Sequence, residues 1–186
     1  NEIEKITDEI LQKNGFKDQK IIGINTGSRW FTKKWPYQKF VELIKILNEK
    51  NYKIIIFGDQ DDLEMDNFLK FEINSPNICN LIAKTDIKQL ISYFRRLSVY
   101  VTNDSGPMHI ASALGISIVG IFGPTVKSLG FFPYTDKAIV LEKDLACRPC
   151  GKHGGKSCRE KHFKCMNDIS VDEVLVAIEK SIYEDK

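Results

Sequence analysis

Ile3, Ile6, Ile10 and Leu11 recur at helical spacing and stop at Asn14-Gly15, a pair suited to ending a helix. The pattern predicts a lead-in helix within residues 1–15. Apolar runs of strand length follow: KIIGIN from Lys20, YKIIIFG from Tyr52, NICNLIA from Asn77, SVYVTN from Ser98, SIVGIFG from Ser117 and a weaker AIVLE from Ala138. Helical patterns separate them at 36–49, with Phe40, Ile44 and Leu47 as its stripe, and at 61–71, 87–97 and 107–114. A closing helix is expected over 170–184. Runs this apolar suit strands covered on both faces, as in a parallel sheet, and the strand-helix alternation predicts a doubly wound α/β domain. One stretch breaks the rhythm: residues 145–167 hold four of the five cysteines.

Composition narrows the picture. A chain of 186 residues with 42% hydrophobic content builds one ordinary domain with a real core, so 1–186 reads as a single domain. The net charge of +2 gives no bulk drive toward nucleic acid, and no nucleic-acid partner is expected. No apolar run approaches the roughly 20 residues of a membrane span, and no signal-peptide pattern opens the chain. The expected address is cytoplasmic. The chain starts at Asn1, already next to a helical pattern, so the reading expects the rear part of a longer protein.

In a doubly wound sheet, ligands bind outside the carboxyl ends of the strands, so the loops that follow strands carry the chemistry. One such loop reads TNDSGPMH, residues 102–109. Asp104 or Ser105 suits the helix cap, Gly106 permits close approach of a ligand, and Pro107 fits the first helical turn. Free N–H groups and the positive end of the helix dipole then favour a phosphate, with His109 in the first turn. The loop after the first strand, NTGSRWFTKKWP, adds Thr26, Gly27 and Ser28 with Lys33 and Lys34. Together the two loops offer what a pyrophosphate needs. The chain has no G-x-G-x-x-G after the first strand and no G-K-[ST] P-loop, which argues against dehydrogenase and ATPase readings. A well-capped strand-helix junction with a solvated lysine pair is the bland alternative.

Three blocks, GINTGSRWFTKKWPYQKFVELIKIL, VTNDSGPMHIASALGISIVGIFGPT and CRPC…CREKHFKCMNDISVDEV, resemble the signature blocks of glycosyltransferase family nine, the bacterial heptosyltransferase-like enzymes. The resemblance spans nearly the whole chain and matches the C-terminal, donor-binding half of that family's GT-B fold, a Rossmann-like domain; the N-terminal acceptor domain is absent from the match. It implies an inverting, metal-independent transfer of heptose or a related sugar from a nucleotide diphosphate sugar, ADP-heptose foremost, to the lipopolysaccharide core. Carried over by motif, Thr26, Ser28, Ser105, Gly106 and His109 hold the donor phosphates and sugar. Lys33 helps neutralise the leaving pyrophosphate, and Asp104 stands near the donor sugar. Gln60 and Asp61, in the GDQDD loop, are a weaker match to a nucleobase contact. Arg29 departs from the small residue usual beside Ser28. The general base falls in the half that the match lacks.

Cys147, Cys150, Cys158 and Cys165 have a spacing that fits a structural tetrahedral zinc, and the resemblance places them in a Cys-rich appendage outside the donor pocket; a stapled loop is the alternative. No catalytic cofactor is expected. Lys152, His153, Lys156, Arg159, Lys161, His162 and Lys164 crowd the same segment, so a peripheral contact with anionic lipid at the inner face of the inner membrane joins the expected partners, beside the nucleotide sugar and a lipid A-core acceptor. The competing functions are a nucleotide-sugar epimerase domain of similar fold and a non-catalytic module that binds nucleotide sugar or zinc.

Overall fold

The computed structural model describes residues 2–73 and 75–183; Asn1 and Glu184, where the outer helices were expected to start and end, lie outside the described residues. The chain runs α1 (Glu2–Lys13), β1 (Ile21–Asn25), α2 (Tyr37–Glu49), β2 (Lys53–Phe57), α3 (Leu63–Glu72), β3 (Ile78–Asn80), α4 (Ile87–Phe94), β4 (Val99–Asn103), α5 (Gly106–Ala113), β5 (Ile118–Ile121), β6 (Ala138–Leu141), α6 (Lys164–Asn167) and α7 (Val171–Tyr183). Short 3₁₀ turns interrupt the loops at Phe31–Lys33, Gln60–Asp62 and Lys127–Leu129.

The six strands form one parallel sheet in the order β3-β2-β1-β4-β5-β6. Residues of β1 and β4 are buried throughout, as their unbroken apolar runs require of strands covered on both faces. One core face joins Ile22, Ile24, Leu43, Ile44, Val101 and Val119 to Val174 and Ile178 of α7. The other joins Ile55, Phe57, Tyr100, Ile118 and Phe122 to Leu11 of α1, Phe94 of α4 and Met108 of α5. The strand order reverses between β1 and β4, so the loops leaving those two strands diverge and open a crevice at the carboxyl edge of the sheet.

Two expectations need correction. The apolar stripe of α1 is only partly inward: Leu11 is buried, whereas Ile6 and Ile10 are 48% and 36% exposed. Polar partners turn the helix. Buried Ser92 and Thr7 share a hydroxyl hydrogen bond of 2.8 Å, and Arg96 grips Asp8 with two donors at 2.8 and 2.9 Å, so α1 is seated on α4 by these groups as well as by Leu11.

The Cys-rich segment is the second correction, because it is not an appendage. Cys165 and Met166 lie in the main core, where a Cβ on Gly123 would come within 2.7 Å of the Met166 sulfur. Upstream, the Arg148 guanidinium donates to the carbonyls of Gly123, Lys143 and Thr125 and to Glu142, and the Cys150 N–H donates to the Pro124 carbonyl. The segment is therefore tied to the loops that leave β5 and β6.

Candidate functional site

The crevice between the β1 and β4 loops holds a cavity of about 880 Å³. Its walls come from Gly27 to Phe31 after β1, Gly58, Asp59, Asp61 and Asp62 after β2, Thr85 and Leu90 around the start of α4, and Ser105 to Pro107 at the start of α5. Phe57 and Tyr100 supply apolar floor, and Lys34 and Lys156 reach it as cations.

Asn103, the last residue of β4, holds the β1 exit loop in place. Its amide donates to the carbonyls of Thr26, at 2.9 Å, and Gly27, at 3.3 Å, while its oxygen accepts the Trp35 backbone N–H at 2.9 Å. Trp35 is itself buried and donates its indole N–H to the Ile169 carbonyl, so the Trp-Pro that starts α2 anchors the far end of the same loop. Between these anchors the chain must rise over the sheet edge, which places Ser28 at the cavity. The Ser28 hydroxyl donates to the Asp104 carbonyl at 2.9 Å and joins the two loops.

Lys33 and Asp104 are brought together, but with each other. Lys33 Nζ lies 2.6 Å from Asp104 Oδ2, both side chains are more than nine-tenths buried, and the Thr125 hydroxyl donates to the same oxygen at 2.7 Å. The Lys33 ammonium also sits 4.8 Å from the centre of the Phe131 ring. The Thr125 hydroxyl gives the buried pair a second donor to the carboxylate, and removing either partner would leave the other buried without its match. Neither side chain is in the cavity wall; they lie beneath it and tie the loops after β1, β4 and β5.

Ser105 occupies the helix-capping position by its backbone, yet its side chain makes no cap hydrogen bond. Its hydroxyl is 3.0 Å from that of Thr102 and 3.4 Å from the Asn25 amide instead, and the Asp104 carboxylate is engaged by Lys33. The N–H groups at the start of α5 are thus left uncapped by side chains at the cavity wall, where Gly106 and Pro107 keep the approach open. His109 is exposed and outside the cavity wall. Thr26 is buried beside the loop, and Gln60 is exposed outside the wall, whereas Asp61 lines it.

Several residues at the site were not singled out by sequence reasoning. Asp62 is wedged between Gly27 and Gly58: a Cβ on Gly27 would fall 2.3 Å from its Oδ2. It accepts from the Asp59 N–H at 3.1 Å and pairs with Lys34 at 3.3 Å, while burial pushes its carboxyl above the usual carboxylate range. Asp59 and Asp62 hold the GDQDD loop together, the Asp59 side chain accepting from the Asp61 N–H at 2.8 Å, whereas the sequence reading picks out Gln60 and Asp61. Tyr100 is fully buried, and its hydroxyl has no hydrogen-bond partner among the described residues, as is also true of Thr26 Oγ1.

The four thiols do not support the expected zinc. Among the described residues, no group of three or more His, Cys, Asp or Glu side chains is arranged to hold a metal ion. Cys147 faces His162 at 3.9 Å, Cys150 donates to the Cys147 carbonyl, and burial followed by the nearby Cys150 pushes the Cys165 thiol up to about 11. All four are free thiols, and Cys79, expected as plain core, is half-buried against the second core face.

Similarity to known proteins agrees with this geometry. Over 181 residues the chain is 35% identical to lipooligosaccharide heptosyltransferase 2 of Campylobacter jejuni, covering 95% of this chain and 55% of that protein. Among solved structures, a family 9 glycosyl transferase from Veillonella parvula superposes with a TM-score of 0.82 at 27% identity, covering all of this chain and 52% of the other. The E. coli ADP-heptose lps heptosyltransferase II gives 0.77 at 24% identity with the same coverage. The chain spans about half the length of these relatives. The model of glycosyltransferase family 9 (heptosyltransferase) matches residues 3–163, and the chain belongs to that family.

Proposed function

We propose that this chain is the donor-binding half of an inverting heptosyltransferase, binding a nucleotide diphosphate sugar of the ADP-heptose type and serving transfer to a lipopolysaccharide core. The observation that carries the reading is the cavity itself: small side chains and uncapped N–H groups from two loops meet at a topological switch point, with an apolar floor beside them. In this reading the diphosphate lies against Ser28, Ser105 and Gly106. The nucleobase side faces Phe57, Leu90 and Tyr100, with Asp61 at the rim.

As the glycosidic bond to the diphosphate breaks, negative charge grows on the leaving oxygen. Donors fixed in advance at the start of α5 stabilise that charge more than they stabilise the intact donor. The Lys33–Asp104–Thr125 group acts through position: it holds the three loops so that the N–H groups do not have to reorganise. The base that takes the acceptor's proton is assigned to the part of the relatives' length that this chain does not span, as is the acceptor site. No helix among the described residues is long and apolar enough to cross a membrane, and work at the cytoplasmic face of the inner membrane, through the basic 152–164 segment, is part of the proposal.

Family membership favours transfer over the epimerase and non-catalytic readings. Titration calorimetry with ADP tests the donor reading. Binding in the micromolar to millimolar range is expected, weak because only one wall of a two-domain cleft is engaged. Folded chain that ignores ADP, UDP and GDP alike at millimolar concentration would refute it.

A further inference from the structure

We propose that Lys156, carried to the cavity by the Cys-rich segment, binds the donor's diphosphate together with Arg29; the inference rests on the donor reading above.

A diphosphate needs cations that are free to meet it. Lys33 is buried and paired with Asp104, and Lys34, which lines the cavity, pairs with Asp62. The cavity wall also carries three acids, Asp59, Asp61 and Asp62, all on the β2 side. The remaining cations in the wall are Arg29 and Lys156; both are exposed, and neither has a carboxylate within ion-pairing distance among the described residues. They come from the β1 exit loop and the Cys-rich segment, the parts of the wall that carry no acid.

The backbone leading to Lys156 is built for this position. The Thr32 N–H donates to the Gly155 carbonyl at 3.1 Å, and the Gly155 N–H donates to the Thr32 hydroxyl at 2.8 Å, so the residue before Lys156 is fastened to the β1 exit loop by two hydrogen bonds. At Gly154 the chain turns with φ +79°, and a Cβ there would sit 3.0 to 3.2 Å from Trp30, Lys33 and Thr32. Glycine is what permits the segment to lie this close. From that anchor a lysine's four-carbon stem can place its ammonium over the cavity while staying hydrated in the empty site. Six of the segment's residues between 148 and 164 are Arg or Lys against the single acid Glu160, so the field at this wall is positive.

The test compares ADP and adenosine binding to the chain and to Lys156→Ala, Lys156→Arg, Arg29→Ala and Lys164→Ala. Lys164 is exposed on the same segment but outside the cavity wall. Loss of one charge-assisted hydrogen bond predicts that Lys156→Ala and Arg29→Ala each weaken ADP binding by about tenfold or more. Adenosine binding should not change, the salt dependence of ADP binding should become shallower, and Lys156→Arg and Lys164→Ala should keep ADP affinity within about twofold of the parent. If the parent chain binds ADP and Lys156→Ala binds it equally well, the inference is overturned while the donor reading stands. Equal losses for ADP and adenosine overturn it too, by showing a structural role. A parent chain that binds no ADP removes the donor reading and this inference together.

Discussion

Tyr100 puts a phenol hydroxyl, with no partner among the described residues, at the floor of a cavity inside a fully buried ring. Leaving such a group unpaired costs about 1–3 kcal/mol in the empty protein, and a ligand atom that pairs with it recovers that cost. Tyr100→Phe should therefore fold with an unchanged or raised melting temperature yet bind ADP several-fold more weakly; a variant that loses stability and affinity in step would mean that the ring packing was disturbed instead. At this scale the sequence was legible in part. Ser28, Ser105 and Gly106 reach the cavity because turn chemistry and helix starts are local properties. His109 does not, since its place in the first turn of α5 leaves it outside the wall, and Asn103 and Thr125 emerge only through partners far along the chain, as with Thr125 and Asp104, whose separation is 21, while Asp62 adds Lys34, 28 residues away, to its local Asp59 partner.

Among the elements, the β1 and β2 exit loops are locked face to face by Asp62. Its carboxylate is fixed by Lys34 and the Asp59 N–H, so the 2.3 Å approach to a Cβ on Gly27 leaves no easy escape. Gly27→Ala should cost on the order of 1–3 kcal/mol, read as a lower midpoint in urea unfolding, and weaken ADP binding. Adding Asp62→Ala should return at least half of the lost stability, because the two residues share one collision; purely additive losses would show that the loops are not in contact in solution. The order of strands and helices was legible from apolar run length and period, which act within a dozen residues. The register of α1 was not, since Thr7 and Asp8 are turned inward or engaged by partners on and just after α4. The Cys-rich segment misled for the same reason: thiol spacing gave a metal pattern, whereas Arg148 and buried Met166 decide where the segment lies.

For the molecule as a whole, the proposed division of labour has a direct check. With ADP-heptose and a lipopolysaccharide-core acceptor, this chain alone should form no glycoside, because nothing at its cavity is assigned to take the acceptor's proton. Measurable transfer would mean that one of Asp59, Asp61 or Asp62 serves as the base and that the chain is catalytically sufficient. The doubly wound architecture was legible in full, as a property of the summed pattern; the cavity's walls were legible only where they follow strands directly, and the contribution of Lys156, from beyond β6, was not. The Arg148 clamp has a consequence for how such an enzyme could diversify. One guanidinium fastens the exits of β5 and β6 on one flank, and the Lys33–Asp104 pair fastens those of β1 and β4, whereas the turns after β2 and β3 are outside both fastenings. Those two turns are the ones beside Phe57, Thr85 and Leu90. Under the proposed donor reading, exchange of residues there other than Asp62 would retune the wall offered to the nucleobase, while the fastened loops keep the diphosphate side unchanged.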